Sequence, residues 1–172
     1  MVIHLCALEP VEDGVDFESN ALIKAQALFD STGIPALADD SGLIVDVLGN
    51  APGILSARWS GVHGDDLANN TLLLNQLEGL PPKLRRARFI TACVLVTAEG
   101  AITTTGEMCG QIITQMCGEN GFGYDVIFVP DELEGTEFAG LTTAQIDSAL
   151  KNKISHRGKA VRAMIPHLVK LF

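Results

Sequence analysis

No stretch of this sequence is long and apolar enough to span a bilayer. Runs such as Leu43-Ile44-Val45 and Cys93-Val94-Leu95-Val96 stop far short of the ~20 residues a membrane helix needs. The first ten residues lack the basic start and long apolar core of a secretory signal, so a cytoplasmic location is the expectation. Cysteine is scarce and unpatterned. Cys6, Cys93, Cys109 and Cys117 show no C-x-x-C spacing and no zinc-ligand partners, which points to reduced, mostly buried thiols instead of a disulfide framework. Positive charge is short as well: 12 Lys and Arg face 21 Asp and Glu, a formal net charge of −9. That balance argues against a nucleic-acid surface, which needs a net basic footprint. The Walker phosphate loop and G-x-G-x-x-G are both missing, and Ser155 sits in no G-x-S-x-G elbow. There are no repeats, low-complexity tracts or linker-like boundaries.

What is present is enough for one domain: 172 residues, 47% hydrophobic, can bury a real core. The charge is unevenly spread. Lys151, Lys153, Arg157, Lys159, Arg162 and Lys170 lie in the last 22 residues, which hold no Asp or Glu, leaving six basic against 21 acidic side chains elsewhere. A basic end on an acidic body attracts a small anion locally while repelling a polyanion. The alternative is a C-terminal helix that simply answers the acidic body.

Asp16 reads as the N-cap of a helix over 17–32, with Gly33 as its stop and Phe17, Ala21, Ala25 and Leu28 as its apolar stripe. Asn20 and Lys24, four apart, project from one face of it. A short apolar run then ends at Ala38, the Asp39-Asp40-Ser41-Gly42 sequence reads as a turn, and 43–48 as a buried strand. Asp65 or Asp66 caps a second helix closed by Gly79 and Pro81. Residues 86–97 read as a long strand leading into a hairpin at Glu99-Gly100, with returns at 101–105 and 111–114. Residues 126–129 form another strand, 142–150 a helical segment, and the tail a helix interrupted at Pro166. Helices alternate with strands first and hairpins dominate the middle, so the fold class is α/β, a mixed sheet with flanking helices.

Three clusters can carry chemistry. Asp39 and Asp40 cannot cheaply be buried together without a cation, and a Mg²⁺ held by one or two carboxylates and several waters resolves that. The alternative is a turn capped by its own side chains. Ser155-His156-Arg157 offers donors at a helix start, or an N-cap with two solvated residues. In Gly121-Phe122-Gly123-Tyr124-Asp125 the glycines permit close approach of a planar ligand to the aromatic rings, or the aromatics anchor a turn.

In this order these pieces resemble the inosine triphosphate pyrophosphatase family. The matching stretches are Phe17 to Ala25, Pro35 to Leu43, Ala51-Pro52-Gly53 with Ser56-Ala57-Arg58, Gly121 to Asp125, and Lys151 with Ile154 to Gly158. They run from about Glu12 to the end. The resemblance implies a two-lobed α/β fold with a long mixed sheet around a nucleotide cleft and, usually, a homodimer. It also implies Mg²⁺-dependent cleavage of non-standard purine nucleoside triphosphates to monophosphate and pyrophosphate. It makes Asp40 the general base and a metal ligand, with Ser41 beside it touching substrate and Glu12 where members often place another acidic metal-site residue; the residues themselves add Asp39 as a candidate ligand. Phe122, Gly123, Tyr124 and Asp125 would line the base pocket. Lys151, His156 and Arg157 would contact the nucleotide as donors to a 6-oxo group, and Asn20 and Lys24 would face the phosphates. The family's opening Ser/Thr-x-Asn-x-x-Lys loop does not occur in Met1 to Leu8, so a single domain lacking the N-terminal strand, loop and helix is expected. That departure leaves a second expectation, a non-catalytic nucleotide binder or dimer partner. An unrelated metal phosphatase using Asp39 and Asp40 is a third.

Overall fold

The computed structural model describes residues 10–171. Helix α1 (Phe17–Thr32) begins as its sequence dictates. The Asp16 carboxylate accepts the Ser19 N–H at 2.8 Å, and Gly33, at φ 66°, returns its own N–H to the Phe29 carbonyl. Strands β1 (Ala36–Val45), β2 (Arg86–Thr97), β3 (Gly100–Ile112) and β4 (Phe128–Pro130) form a sheet in the order β1-β2-β3-β4. Every pairing among the described residues is antiparallel. Helix α2 (Asp66–Gln76) covers one end of the sheet. Helices α3 (Ser148–Ile154) and α4 (His156–Leu168) meet at Ser155, whose hydroxyl accepts the Gly158 N–H and caps α4.

Helices α1 and α4 lie on opposite faces of β2. Ala21 and Ala25 of α1 pack on Val94 and Val96, while Ala160 and Met164 of α4 pack on Cys93 and Leu95. Because side chains alternate along a strand, a segment buried on both faces reads as an unbroken apolar run, as residues 92–96 of β2 do. The largest core gathers Leu43, Leu73, Leu77, Phe89, Met108, Tyr124 and Phe128 under α2.

Four expectations are corrected. Asp39-Asp40-Ser41-Gly42 is not a turn: each residue pairs with β2 (Asp39 with Cys93, Asp40 with Ala92, Ser41 with Thr91, Gly42 with Ile90), and the strand runs straight through. The glycine serves close packing. A Cβ there would sit 2.5 Å from the Gly53 carbonyl oxygen and 2.6 Å from Ser56 Oγ. The two expected returns after the hairpin are one 13-residue strand, β3. Helix α4 continues through Pro166, which falls in its last turn and forfeits only one internal hydrogen bond. Of the thiols, Cys93 is buried but Cys109 is exposed and Cys117 half-buried, and Cys6 lies outside the described residues.

Gly106 of β3 lets α4 lie flat on the sheet. A Cβ there would collide with the His156 carbonyl oxygen and stand 2.7 Å from the Ala160 nitrogen. Gly106→Ala should therefore lower stability by about 1–3 kcal/mol, the usual range for overpacking, measured by the urea midpoint. An unchanged midpoint would contradict this packing.

Candidate functional site

The strand that replaces the expected turn divides the carboxylates. Asp39 and Ser41 face α4, and Asp40 faces α1, because consecutive strand residues point to opposite sides. The expectation that Asp39 and Asp40 share a cation is therefore corrected. Arg157 Nε donates to Asp39 Oδ2 at 2.8 Å, and a terminal guanidinium nitrogen donates to Ser41 Oγ at 3.0 Å. The Ser41 hydroxyl in turn donates to Asp39 Oδ2 at 2.9 Å. Asp39 thus anchors Arg157 across the gap between α4 and β1.

On the α1 face, Lys24 Nζ donates to Asp40 Oδ1 at 2.9 Å and lies 3.5 Å from Glu12. Asn20, buried, directs its amide N–H to Asp40 Oδ2 at 3.4 Å and accepts the Gly14 N–H at 2.9 Å. The i, i+4 spacing of Asn20 and Lys24 brings both heads to one carboxylate. No three His, Cys, Asp or Glu side chains converge as a cage among the described residues. Mg²⁺ needs no cage, since it is held by one or two carboxylates with waters and phosphate oxygens. Here Asp40 and Glu12 already flank one cation, the Lys24 ammonium, so their donor chemistry fits.

On the α4 face a cavity of about 490 Å³ opens between β1, the segment Gly53–Arg58, the Gly121–Asp125 loop and the α3–α4 corner. The loop is tied down by its buried acid. Asp125 pairs with Lys151, accepts the Phe122 N–H at 2.9 Å and accepts the Thr143 hydroxyl at 2.7 Å. Tyr124 is buried, its hydroxyl donating to the Ser56 carbonyl at 2.9 Å; burial, with Asp66 nearby, pushes that hydroxyl's pKa up. Phe122 is 67% exposed, with Lys151 Nζ 5.0 Å and Arg157 6.0 Å from its ring. An exposed aromatic face over two cations suits a planar ligand with polar edges. Gly123 and His156 also line the cavity.

His156 stacks on Phe89, with ring centroids 4.9 Å apart and planes 10° apart. Burial, then the neighbouring Arg157 charge, pull its pKa down to about 4. The imidazole is therefore neutral at pH 7 and offers one ring N–H, so the cationic donors of the trio are Lys151 and Arg157. The tail's two readings merge: Lys151, Arg157 and Lys159 answer acids of the body at Asp125, Asp39 and Glu132, and the first two also line the cavity.

Sequence reasoning gave no site role to Phe89, to Asp66 or, beyond its place in a matching stretch, to Ser56, all at the cavity. Phe89 carried only a strand signal and Asp66 only a capping signal. Ser56, which accepts the Leu43 N–H at 2.8 Å, lay in a segment with no periodicity.

Fold and site together define an α/β protein with a cleft lined by an exposed aromatic ring and two cations, and a carboxylate–lysine cluster across the adjacent strand. The chain belongs to the Ham1 family, whose model matches residues 2–167, so the likeness reaches further toward the N terminus than Glu12. It is 50% identical over 163 residues to a dITP/XTP pyrophosphatase of Mycolicibacterium paratuberculosis, covering 95% of this chain and 78% of that protein. It is 51% identical over 164 residues to a dITP/XTP pyrophosphatase of Nocardia farcinica, covering 95% and 77%. Among solved structures, the Ham1 protein of Staphylococcus aureus superposes with a TM-score of 0.84 at 36% identity, over 94% of this chain and 81% of that one. The HAM1 protein of Coxiella burnetii gives 0.86 at 35%, over 95% and 82%.

A histidine neutral when folded but protonated near pH 6.5 when unfolded binds more protons in the unfolded state. Stability from His156 is thus present above pH 6.5 and lost as pH falls toward 4. His156→Phe, which keeps the stack on Phe89, should flatten the urea midpoint between pH 7 and 5 relative to the parent. Equal slopes would contradict the depressed pKa.

Proposed function

We propose that this protein hydrolyses non-standard purine nucleoside triphosphates, those of deoxyinosine, inosine and xanthosine, to the monophosphate and pyrophosphate. The reading includes Mg²⁺ as cofactor, a homodimer and a cytoplasmic location. Among the described residues no helix is long and apolar enough to cross a membrane. The observation that carries the reading is the adjacency of two half-sites on consecutive residues. Ser41 opens on the aromatic and cationic cavity, and Asp40 on the cluster with Lys24 and Glu12. The relatives named dITP/XTP pyrophosphatases support the substrate class.

In this account the purine enters the cavity against Phe122 and the phosphates pass the edge of β1 to the α1 face. Lys151 and Arg157 supply donors to a 6-oxo group, and His156 one ring N–H. Adenine presents an amino donor at that position, and opposed buried donors discriminate by up to about 10⁴-fold. Asp40 orients a water toward the α-phosphorus and takes its proton. Lys24, already between two carboxylates, is placed to transfer its contact to a phosphate oxygen, while Asn20 holds the second Asp40 oxygen. When bound at Asp40 and Glu12, Mg²⁺ offsets the charge of the phosphates and of the departing pyrophosphate.

Asp40→Asn should cut kcat for pyrophosphate release from dITP by about 10²–10⁴-fold, the usual worth of a general base, with KM little changed. Chelation of divalent cations should abolish turnover in the parent. Parent-like rates in the variant, or orthophosphate as product, would overturn the assignment. Equal turnover of ATP and ITP would overturn the donor argument.

A further inference from the structure

Gly123 is gripped from both sides by one face of α2. Its N–H donates to Asp66 Oδ2 at 2.6 Å, and its carbonyl accepts the Asn70 side-chain amide at 2.8 Å. Asp66 and Asn70 are four apart, so the helix presents both to one point. Asn70 is 2% exposed, which makes this an interior fastening. The residue so held lies between Phe122 and Tyr124, and α2 thereby sets the height of the aromatic loop over the cavity.

Asp66 does more than fasten. It lines the cavity, and its Oδ1 has no hydrogen-bond partner among the described residues. A carboxylate is an acceptor only. The cavity therefore holds an acceptor at Asp66 as well as the cationic donors of Lys151 and Arg157. The edge of a 6-oxopurine is the complement, an acceptor oxygen beside a ring N–H. Adenine inverts both groups, offering an amino donor beside a bare ring nitrogen whose lone pair would face the carboxylate.

We propose that Asp66 is a specificity-determining residue, one oxygen holding the aromatic loop through Gly123 and the other accepting the ring N–H of a 6-oxopurine. This rests on the function proposed above and adds a second determinant to it, an acceptor where that reading has only donors. Asn70 is a positioning residue: its side-chain amide donates to the carbonyls of Gly123 and, at 2.7 Å, of Asp66, and leaves the Asp66 carboxylate untouched.

The test uses the full chain with dITP and dATP. Asp66→Asn keeps an acceptor for the Gly123 N–H but brings an amide N–H that can meet a lone pair. It should narrow the dITP-to-dATP ratio of kcat/KM at least tenfold, chiefly through KM, consistent with the worth of one polar group in a site. Asn70→Ala should raise both KM values together and leave the ratio within twofold. Binding of IMP and AMP by calorimetry should follow the same pattern without turnover, and Asp66→Ser serves as the uncharged alternative if Asp66→Asn does not fold. A ratio unchanged in both Asp66 variants, with dITP still hydrolysed by the parent, would overturn this inference alone. A parent inert toward dITP would overturn the functional reading instead.

Discussion

The two-residue period of β1 governs the site. An extended strand sends consecutive side chains to opposite faces, and Asp39, Asp40 and Ser41 are consecutive. Asp40 therefore meets α1, where Lys24 and Asn20 approach it, while Asp39 and Ser41 meet α4, where Arg157 joins them. One peptide link separates the two half-sites. Their spacing is as rigid as the strand, which is paired along its length to β2 and packed at Gly42 against Gly53 and Ser56. Pre-organisation of this kind removes the ordering cost from binding and leaves the ligand to bridge a fixed distance.

Charge is arranged around that strand so that Glu12, Asp39, Asp40 and Asp125 each meet a cation. Lys24 lies between Asp40 and Glu12, Arg157 answers Asp39, and Lys151 answers Asp125. The acidic body, net −9, would repel a polyphosphate if its cations were dispersed. Concentrating Lys151, Arg157 and Lys24 on either side of one strand gives an anion a local welcome. His156 adds shape and a ring N–H, stacked flat on Phe89, without adding charge.

The parts of the fold legible in the sequence were those set by local chemistry. The Asp16 cap and Gly33 stop of α1, the Asp65 cap of α2 and the apolar run of β2 all lie where their residue types place them. What was illegible depended on partners distant in sequence. Asp39 to Gly42 carries turn residues, and only pairing with β2 holds it extended. Pro166 looked like a break because its place in the last turn of α4 follows from where that helix starts. The candidate residues were legible as a set, through ordered motifs; their division between two faces was not, since a strand read as a turn loses its alternation. Asp66 and Phe89 were hidden by ordinary roles, a helix cap and a strand position, that gave no sign of a cavity above them.

The proposed reaction requires one ligand to engage both faces of β1 at once. Backbone amide shifts followed by NMR during titration with a non-hydrolysable dITP analogue and Mg²⁺ test it most directly. Ser41, Phe122 and Gly123 on the cavity side should shift with Asn20 and Lys24 on the α1 side, at one shared midpoint. IMP should move the cavity set alone. A triphosphate analogue that also moves only the cavity set, leaving Asn20 and Lys24 unperturbed at saturation, would contradict it.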